Sequence, residues 1–130
     1  AKAGDSRWVH RPRMDWTAAA RRHDPSTIQG RIFGGLKRLI ALRKAEPALA
    51  TLPEHVETGN AHVLGFAHYH AGGPLLVLAN FSEQAHTISA HVLHAQGLSW
   101  PTVDLITGSR VALSEDVTLA PYQMAWLKPS

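Results

Sequence analysis

Nine histidines are the most conspicuous chemical groups of the sequence, and two pairs are spaced so that imidazoles could act together. His68-x-His70 would place two side chains on one face of a strand, and His91-x-x-His94 offers two nitrogens on a strand or turn. A structural zinc needs four donors, however, and no Asp or Glu stands at a recognisable spacing from either pair. Solvent-facing strand histidines and no metal are the expectation. Cysteine is absent, which removes disulfides, thiolate metal sites and a cysteine nucleophile together. Asn80-Phe-Ser82 fits a glycosylation sequon, yet Asn and Ser at this spacing also bond their own backbone, and a structural turn is expected. Gly34-Gly35-Leu-Lys37 lacks the preceding strand and the spacing of a phosphate loop, so its role is helix packing. Nothing in the spacing ties a Ser, a His and an Asp into a triad.

The remaining chemical signal is charge. The 130 residues carry a net charge of +3, but residues 1–44 hold eleven Lys or Arg against Asp5, Asp15 and Asp24, whereas the rest holds Arg110 and Lys128 against seven acids. Balances of +8 and −5 imply two regions of different chemistry. A basic arm with Trp8 and Trp16 among its arginines has the composition of a nucleic-acid-binding segment, which would show steeply salt-dependent affinity. The plainer reading is that these arginines lean on acids elsewhere or solvate a helix face. No apolar run approaches the ~20 residues of a membrane span. The opening AKAGDSRWVHRP has no apolar signal core and reads as cut from something longer. A cytoplasmic location, or secretion of a larger parent, is compatible with this.

These groups must be positioned by elements that the sequence punctuates clearly. Arg7 to Met14 contains Pro12 and no helical period, so an extended loop is expected. Asp15 can cap a short helix over Trp16 to Arg22, which His23-Asp24-Pro25 breaks. Ser26 with Gln29 fits a capping box, and a helix follows from Thr27 to Glu46. Its apolar stripe runs through Ile28, Ile32, Phe33, Leu36, Leu39 and Ile40, opposite Arg31, Lys37, Arg38 and Lys44. Gly30, Gly34 and Gly35 each weaken it by ~1 kcal/mol relative to Ala, so a partner must hold it, and the glycines allow another backbone to come close.

After Pro47 the pattern turns to short β-like runs. His62 to His70, Leu75 to Phe81, Thr87 to Leu93, Val103 to Ile106, Arg110 to Leu113, Val117 to Leu119 and Gln123 to Leu127 are the expected strands. Ala71-Gly72-Gly73-Pro74 closes a hairpin between the first two, and LLVLANF suits a strand buried on both faces. The fold class is mainly β, an antiparallel Greek-key-type sandwich preceded by a loop and one long helix. Its expected core includes Val63, Leu76, Leu78, Phe81, Leu105, Leu119 and Trp126, with Tyr122 and Trp126 as core residues rather than a sugar-stacking platform.

The run Asp5-Ser-Arg7-Trp8-Val-His10-Arg11-Pro12-Arg-Met-Asp15-Trp16, then Arg22-His23-Asp24-Pro25 and Leu39-Ile40-Ala41-Leu42-Arg43, resembles the end of the catalytic barrel of amylosucrases. Leu78-Ala-Asn80-Phe81-Ser82, Asp104-Leu-Ile-Thr-Gly108 and Leu119-Ala-Pro121-Tyr122-Gln123-x-x-Trp126-Leu127 resemble the β-sandwich that closes those enzymes and, more loosely, other members of the α-amylase superfamily.

The resemblance implies a division into residues 1–50, the end of a (β/α)8 barrel with its last active-site loop and last helix, and residues 51–130, the terminal sandwich. It implies a parent that transfers glucose from sucrose to an α-glucan, releasing fructose with retention, or else a sucrose hydrolase of the same family. Both catalytic carboxylates of such an enzyme sit on earlier barrel strands, so no catalytic residue is expected here and the chain alone is expected to be inactive. Arg7 matches the arginine that pairs with a barrel carboxylate at the floor of the glucose pocket. His10 and Arg11 lie on the same loop. Neither cofactor nor metal is implied. The expected partners are sucrose and α-glucan in the parent, and the missing barrel portion or a second copy of the chain through the Thr27 to Glu46 helix; nucleic acid and membrane are not expected. A carbohydrate-binding sandwich module, which would need exposed aromatics in a row, is the alternative of another class.

Overall fold

A computed structural model describes residues 13–99, 101–112 and 115–130. The chain divides into two compact units, one reaching Ile40 and the other running from Ala41 to Ser130. In the first, Asp15 caps α1 (Trp16–Ala20) by accepting the Ala18 N–H at 3.0 Å, and a 3₁₀ turn over Arg21–His23 ends the segment. Asp24 then builds the turn before α2 (Ile28–Ala45): its Oδ1 accepts both the Ser26 N–H at 2.9 Å and the Ser26 hydroxyl at 2.7 Å. Those bonds hold the Asp24 carboxyl below its ordinary range.

With Ser26 so engaged, the expected capping box does not form. Thr27 is the cap instead, accepting the Gly30 N–H at 3.0 Å while its hydroxyl faces the Arg21 and Asp24 carbonyls. Gly30 is the one glycine of the helix that another backbone approaches. A Cβ there would lie 1.8 Å from the Asp24 carbonyl oxygen, whereas nothing lies within 4 Å of one at Gly34 or Gly35. Gly30→Ala is therefore expected to cost about 1–3 kcal/mol. Gly34→Ala should stabilise the helix by ~1 kcal/mol. Urea titration followed by helical circular dichroism checks the opposite signs. The apolar stripe of α2 is open: Ile28, Ile32, Leu36 and Ile40 are more than half exposed, and Phe33 meets the edge of His23 at a 6.0 Å centroid distance. No described helix is long and apolar enough to cross a membrane.

The second unit is an antiparallel β-sandwich. A 3₁₀ segment (Pro47–Ala50) leads into β1 (Glu54–Val56), β2 (Val63–His70), β3 (Gly73–Asn80) and β4 (His86–Ile88). A short helix α3 (Ala90–Ala95) precedes β5 (Thr102–Asp104), β6 (Arg110–Val111), β7 (Val117–Leu119) and β8 (Met124–Pro129). One sheet has the order β1-β2-β3-β8-β5-β6, and β4 pairs with β7 in the other. The core between them joins Val56, Val63, Ala67, Leu76, Leu78, Ala125 and Leu127 of the large sheet to Ile88, Leu119, Leu93 and Leu98. The β2–β3 hairpin closes as expected, with His70 opposite Gly73.

Three expectations need correction. Thr87 to Leu93 is not one strand, because Ser89 accepts the His91 N–H and caps α3, whose Leu93 then reaches the core. β1 goes unforeseen, since only Val56 of its three residues is buried and so short a pattern carries no period. The core list is also wrong in part: Val63, Leu76, Leu78 and Leu119 are buried, but Phe81 is 68% exposed and Leu105 and Trp126 are half-buried. Leu76 and Leu78 face inward, so alternation sends the odd-numbered Phe81 to the other side. Ala125 and Leu127 likewise occupy the inner face and turn Trp126 outward.

Candidate functional site

Arg7, His10 and Arg11, with Trp8 and Pro12 of the expected loop, lie outside the described residues. The Asp15 cap, the Asp24 turn and the Gly30 contact fix the described peptide from Asp15 into α2.

The histidine pairs have separate tasks. On β2, His68 is buried rather than solvent-facing, and its Nδ1 lies 3.1 Å from the Thr51 carbonyl oxygen. His70 is exposed, and its Nδ1 accepts the Gly72 N–H at the hairpin. His91 and His94 stand on α3 rather than on a strand, with His94 Nδ1 3.3 Å from the Leu98 carbonyl oxygen. Among the described residues no three His, Asp or Glu side chains gather around a common point.

A pair that the sequence did not reveal is His62 with His86. Their rings stack at 4.9 Å and 21°. Asn60 Oδ1 accepts the His62 N–H at 3.0 Å, which leaves Asn60 Nδ2 to donate to His86 Nδ1 at 3.1 Å. Stacked rings point their nitrogens sideways rather than at one ion, so this arrangement pins the β1–β2 turn to β4. It borders a groove of about 360 Å³ lined by His55, Asn60, His62, Leu64 and Phe81 among others. With residues 24 positions apart and no motif, only the fold could bring them together.

Asn80 and Asp104, both carried by recognisable motifs, are structural centres. Asn80 is 3% exposed; its Oδ1 accepts the N–H and hydroxyl of Ser82 at 2.9 Å each, and its Nδ2 donates to the Gln84 and Ala120 carbonyls. The sequon is thus the expected Asn turn. Asp104 Oδ1 accepts the N–H groups of Ile106 and Trp126, and Oδ2 accepts the Thr107 hydroxyl. Where β5 ends, this carboxylate continues its ladder with β8. Tyr122 is not on a strand; it occupies a turn at φ 56°, a conformation rare for a bulky residue, and is 66% exposed.

An ion pair joins the lead-in to the sandwich. Glu46 caps the 3₁₀ segment through the Ala48 N–H at 3.1 Å, and its two oxygens receive Lys128 Nζ at 3.0 and 2.8 Å. Burial pushes the Glu46 carboxyl up, but the Lys128 ammonium, the Ala48 N–H and the more distant His70 together hold it below its ordinary range. A carboxyl lowered on folding contributes stability above its unfolded pKa and loses it as pH falls through the folded value. Glu46→Gln is therefore expected to cost about 1.5–3 kcal/mol at neutral pH, with the difference from wild type vanishing in acid. Chemical denaturation across that pH range reads it directly.

The antiparallel sandwich matches known proteins in two ways. Residues 54–128, more than half of the chain, match the family of amylosucrase C-terminal domains. Among solved structures, AmyP in complex with maltose is similar at a TM-score of 0.64 and 22% identity, over 77% of this chain and 20% of that one. The trehalulose synthase MutB from Pseudomonas mesoacidophila MX-45 is similar at a TM-score of 0.61 and 22% identity, over 85% of this chain and 19% of its own. A MutB variant in complex with the substrate sucrose gives the same figures. At such identity the likeness to these structures speaks for the fold, and the chain spans about a fifth of the length of each. A sandwich of this topology, with its Asn80 and Asp104 turns inside the matched region, belongs to the amylosucrase C-terminal domain family.

Proposed function

We propose that the chain is the C-terminal portion of an amylosucrase-like glucosyltransferase, in which residues 1–50 end the catalytic barrel and residues 51–130 form the closing sandwich. The observation that carries this reading is the family match over residues 54–128 directly downstream of a helix whose apolar stripe stands open. In such a parent α2 is the last barrel helix. Ile28, Ile32, Phe33, Leu36 and Ile40 would each contribute ~1.5–3 kcal/mol when buried against their neighbours.

The parent reaction transfers glucose from sucrose to an α-glucan. Retention of configuration requires a carboxylate nucleophile that forms a glucosyl ester and a carboxylic acid that protonates the departing fructose, ~5 Å apart. Both belong to the barrel upstream. This chain supplies Arg7, whose guanidinium would bond a sugar hydroxyl and a barrel carboxylate at the floor of the glucose pocket, orienting substrate without reacting. His10 and Arg11 would flank it.

The test is the full-length protein encoded by the gene. It should release fructose from sucrose and build an α-glucan. Arg7→Ala should lower kcat/KM for sucrose by roughly 10²–10³, the loss of a charge-assisted pair at about 3–4 kcal/mol. Glucose in place of glucan would identify a sucrose hydrolase. An upstream sequence without the two barrel carboxylates would sink the enzyme reading.

A further inference from the structure

Among the described residues up to Ile40 a single one is buried, and it is a glycine. Gly30 stands in the first turn of α2 against the backbone that leads into it. A Cβ there would lie 1.8 Å from the Asp24 carbonyl oxygen, 2.5 Å from the Asp24 carbonyl carbon and 3.1 Å from the Pro25 nitrogen. Hydrogen bonds crowd around this contact. Thr27 Oγ1 lies 2.9 Å from the Arg21 carbonyl oxygen and 2.8 Å from that of Asp24, and it accepts the Gly30 N–H at 3.0 Å. The Thr27 N–H donates to the Asp24 carbonyl at 3.1 Å, and the Asp24 N–H to the Arg21 carbonyl at 3.0 Å. Thr27 and Gly30 thus clamp the 3₁₀ turn that follows α1 onto the first turn of α2.

Apolar burial is not what this clamp secures, because Met14, Trp16, Ile28 and Ile32 are all more than half exposed. Helix formation is not the reason either, since glycine inside a helix costs ~1 kcal/mol relative to Ala. What the clamp fixes is the placement of α1 relative to α2. Asp15, the cap of α1, follows Arg7 by eight positions in the sequence, so the start of α1 tethers the chain that carries Arg7.

We infer that Thr27 and Gly30 are positioning residues for sucrose, which set where the Arg7 guanidinium is delivered by fixing where α1 starts. The inference rests on the proposed function, which gives Arg7 its role. Neither residue touches substrate. An alanine at position 30 forces the Asp24 carbonyl back by more than an ångström, and α1 passes that displacement to the chain ahead of it. A shift of about 1 Å in a group that holds substrate is enough to cost up to ~10² in rate.

Steady-state kinetics of the full-length protein on sucrose test it through a double-mutant cycle. Gly30→Ala should raise KM for sucrose about 10-fold and leave kcat within about twofold. A misplaced arginine loses binding common to ground and transition states, whereas partial unfolding lowers kcat and leaves KM alone. In an Arg7→Ala background the same substitution should change kcat/KM by less than about twofold, since nothing is left for it to position. Thr27→Val, which removes the hydroxyl and keeps the shape, should repeat the rise in KM, and Thr27→Ser should restore it; this pair decides if Gly30→Ala does not fold. Unchanged KM in these variants, or an equal loss in the Arg7→Ala background, overturns the positioning role and leaves the role of Arg7 standing. Arg7→Ala without effect on sucrose kinetics overturns the role proposed for Arg7 and this inference with it.

Discussion

Homogeneous 130-residue protein, free of full-length enzyme, is expected to release no fructose from sucrose above the uncatalysed background. The expectation follows from the proposed function and from the chemistry of retention. A glucosyl ester cannot form without a carboxylate held against the anomeric carbon, and fructose leaves slowly without an acid positioned at the glycosidic oxygen. Among the described residues the buried acids are already committed: Asp104 accepts three hydrogen bonds from its own turn and from β8, and Glu46 is locked to Lys128 and Ala48. Every oxygen of the two already accepts a hydrogen bond within the sandwich or its lead-in. The effect is the largest expected here, complete loss relative to the parent. A coupled fructose assay on protein of verified mass reads it, and turnover by such a sample would move the catalytic groups into this chain.

Asp104→Ala is expected to destabilise the sandwich by about 3–5 kcal/mol. The substitution strands the Ile106 and Trp126 N–H groups, and each donor left without a partner costs about 1–3 kcal/mol; the Thr107 hydroxyl can rotate and loses less. Against a total of about 5–15 kcal/mol for a domain, that is a large share. Asp104→Asn provides the contrast. Its carbonyl can take the place of Oδ1 and its amide can donate to the Thr107 oxygen, so the loss should be only ~1 kcal/mol, the charge assistance of the bonds. Urea unfolding followed by Trp fluorescence separates the two. An Ala variant as stable as the Asn variant would show that the turn does not depend on this carboxylate.

The described N-terminal elements were legible because their signals are local. Asp15 caps within three residues, Pro25 breaks the chain where it stands, and the stripe from Ile28 to Ile40 repeats often enough to define α2 to within a residue at either end. The choice between Ser26 and Thr27 as its cap was not local in the same sense, because it depended on Asp24 claiming the Ser26 hydroxyl first. The hairpin at Gly72-Gly73 and the turn at Asn80 were legible for the same reason as α1: a few residues with special backbone or side-chain chemistry decide them. Short strands were less so. Three residues, as in β1, hold no period, and Val92-Leu93 suits a strand or a helix until Ser89 is seen capping α3. The role expected of Arg7 rests on the family resemblance alone, since no local rule makes an arginine a sugar ligand.

By itself, then, the sequence determined that a basic helical region precedes an antiparallel sandwich, because helix periods, caps and turn residues act over distances of a few residues. Tertiary structure decided which face of each strand is inside. In LLVLANF both faces are apolar, so alternation cannot tell Leu76 from Val77, and only pairing with β8 and docking of β4 and β7 put Leu76, Leu78 and Leu127 in the core and left Val77, Phe81 and Trp126 outside. It likewise decided the His62–His86 stack, the Glu46–Lys128 pair and the reach of Asp104 to Trp126, contacts across 24, 82 and 22 positions. Such contacts depend on the register between distant strands, which no local pattern encodes.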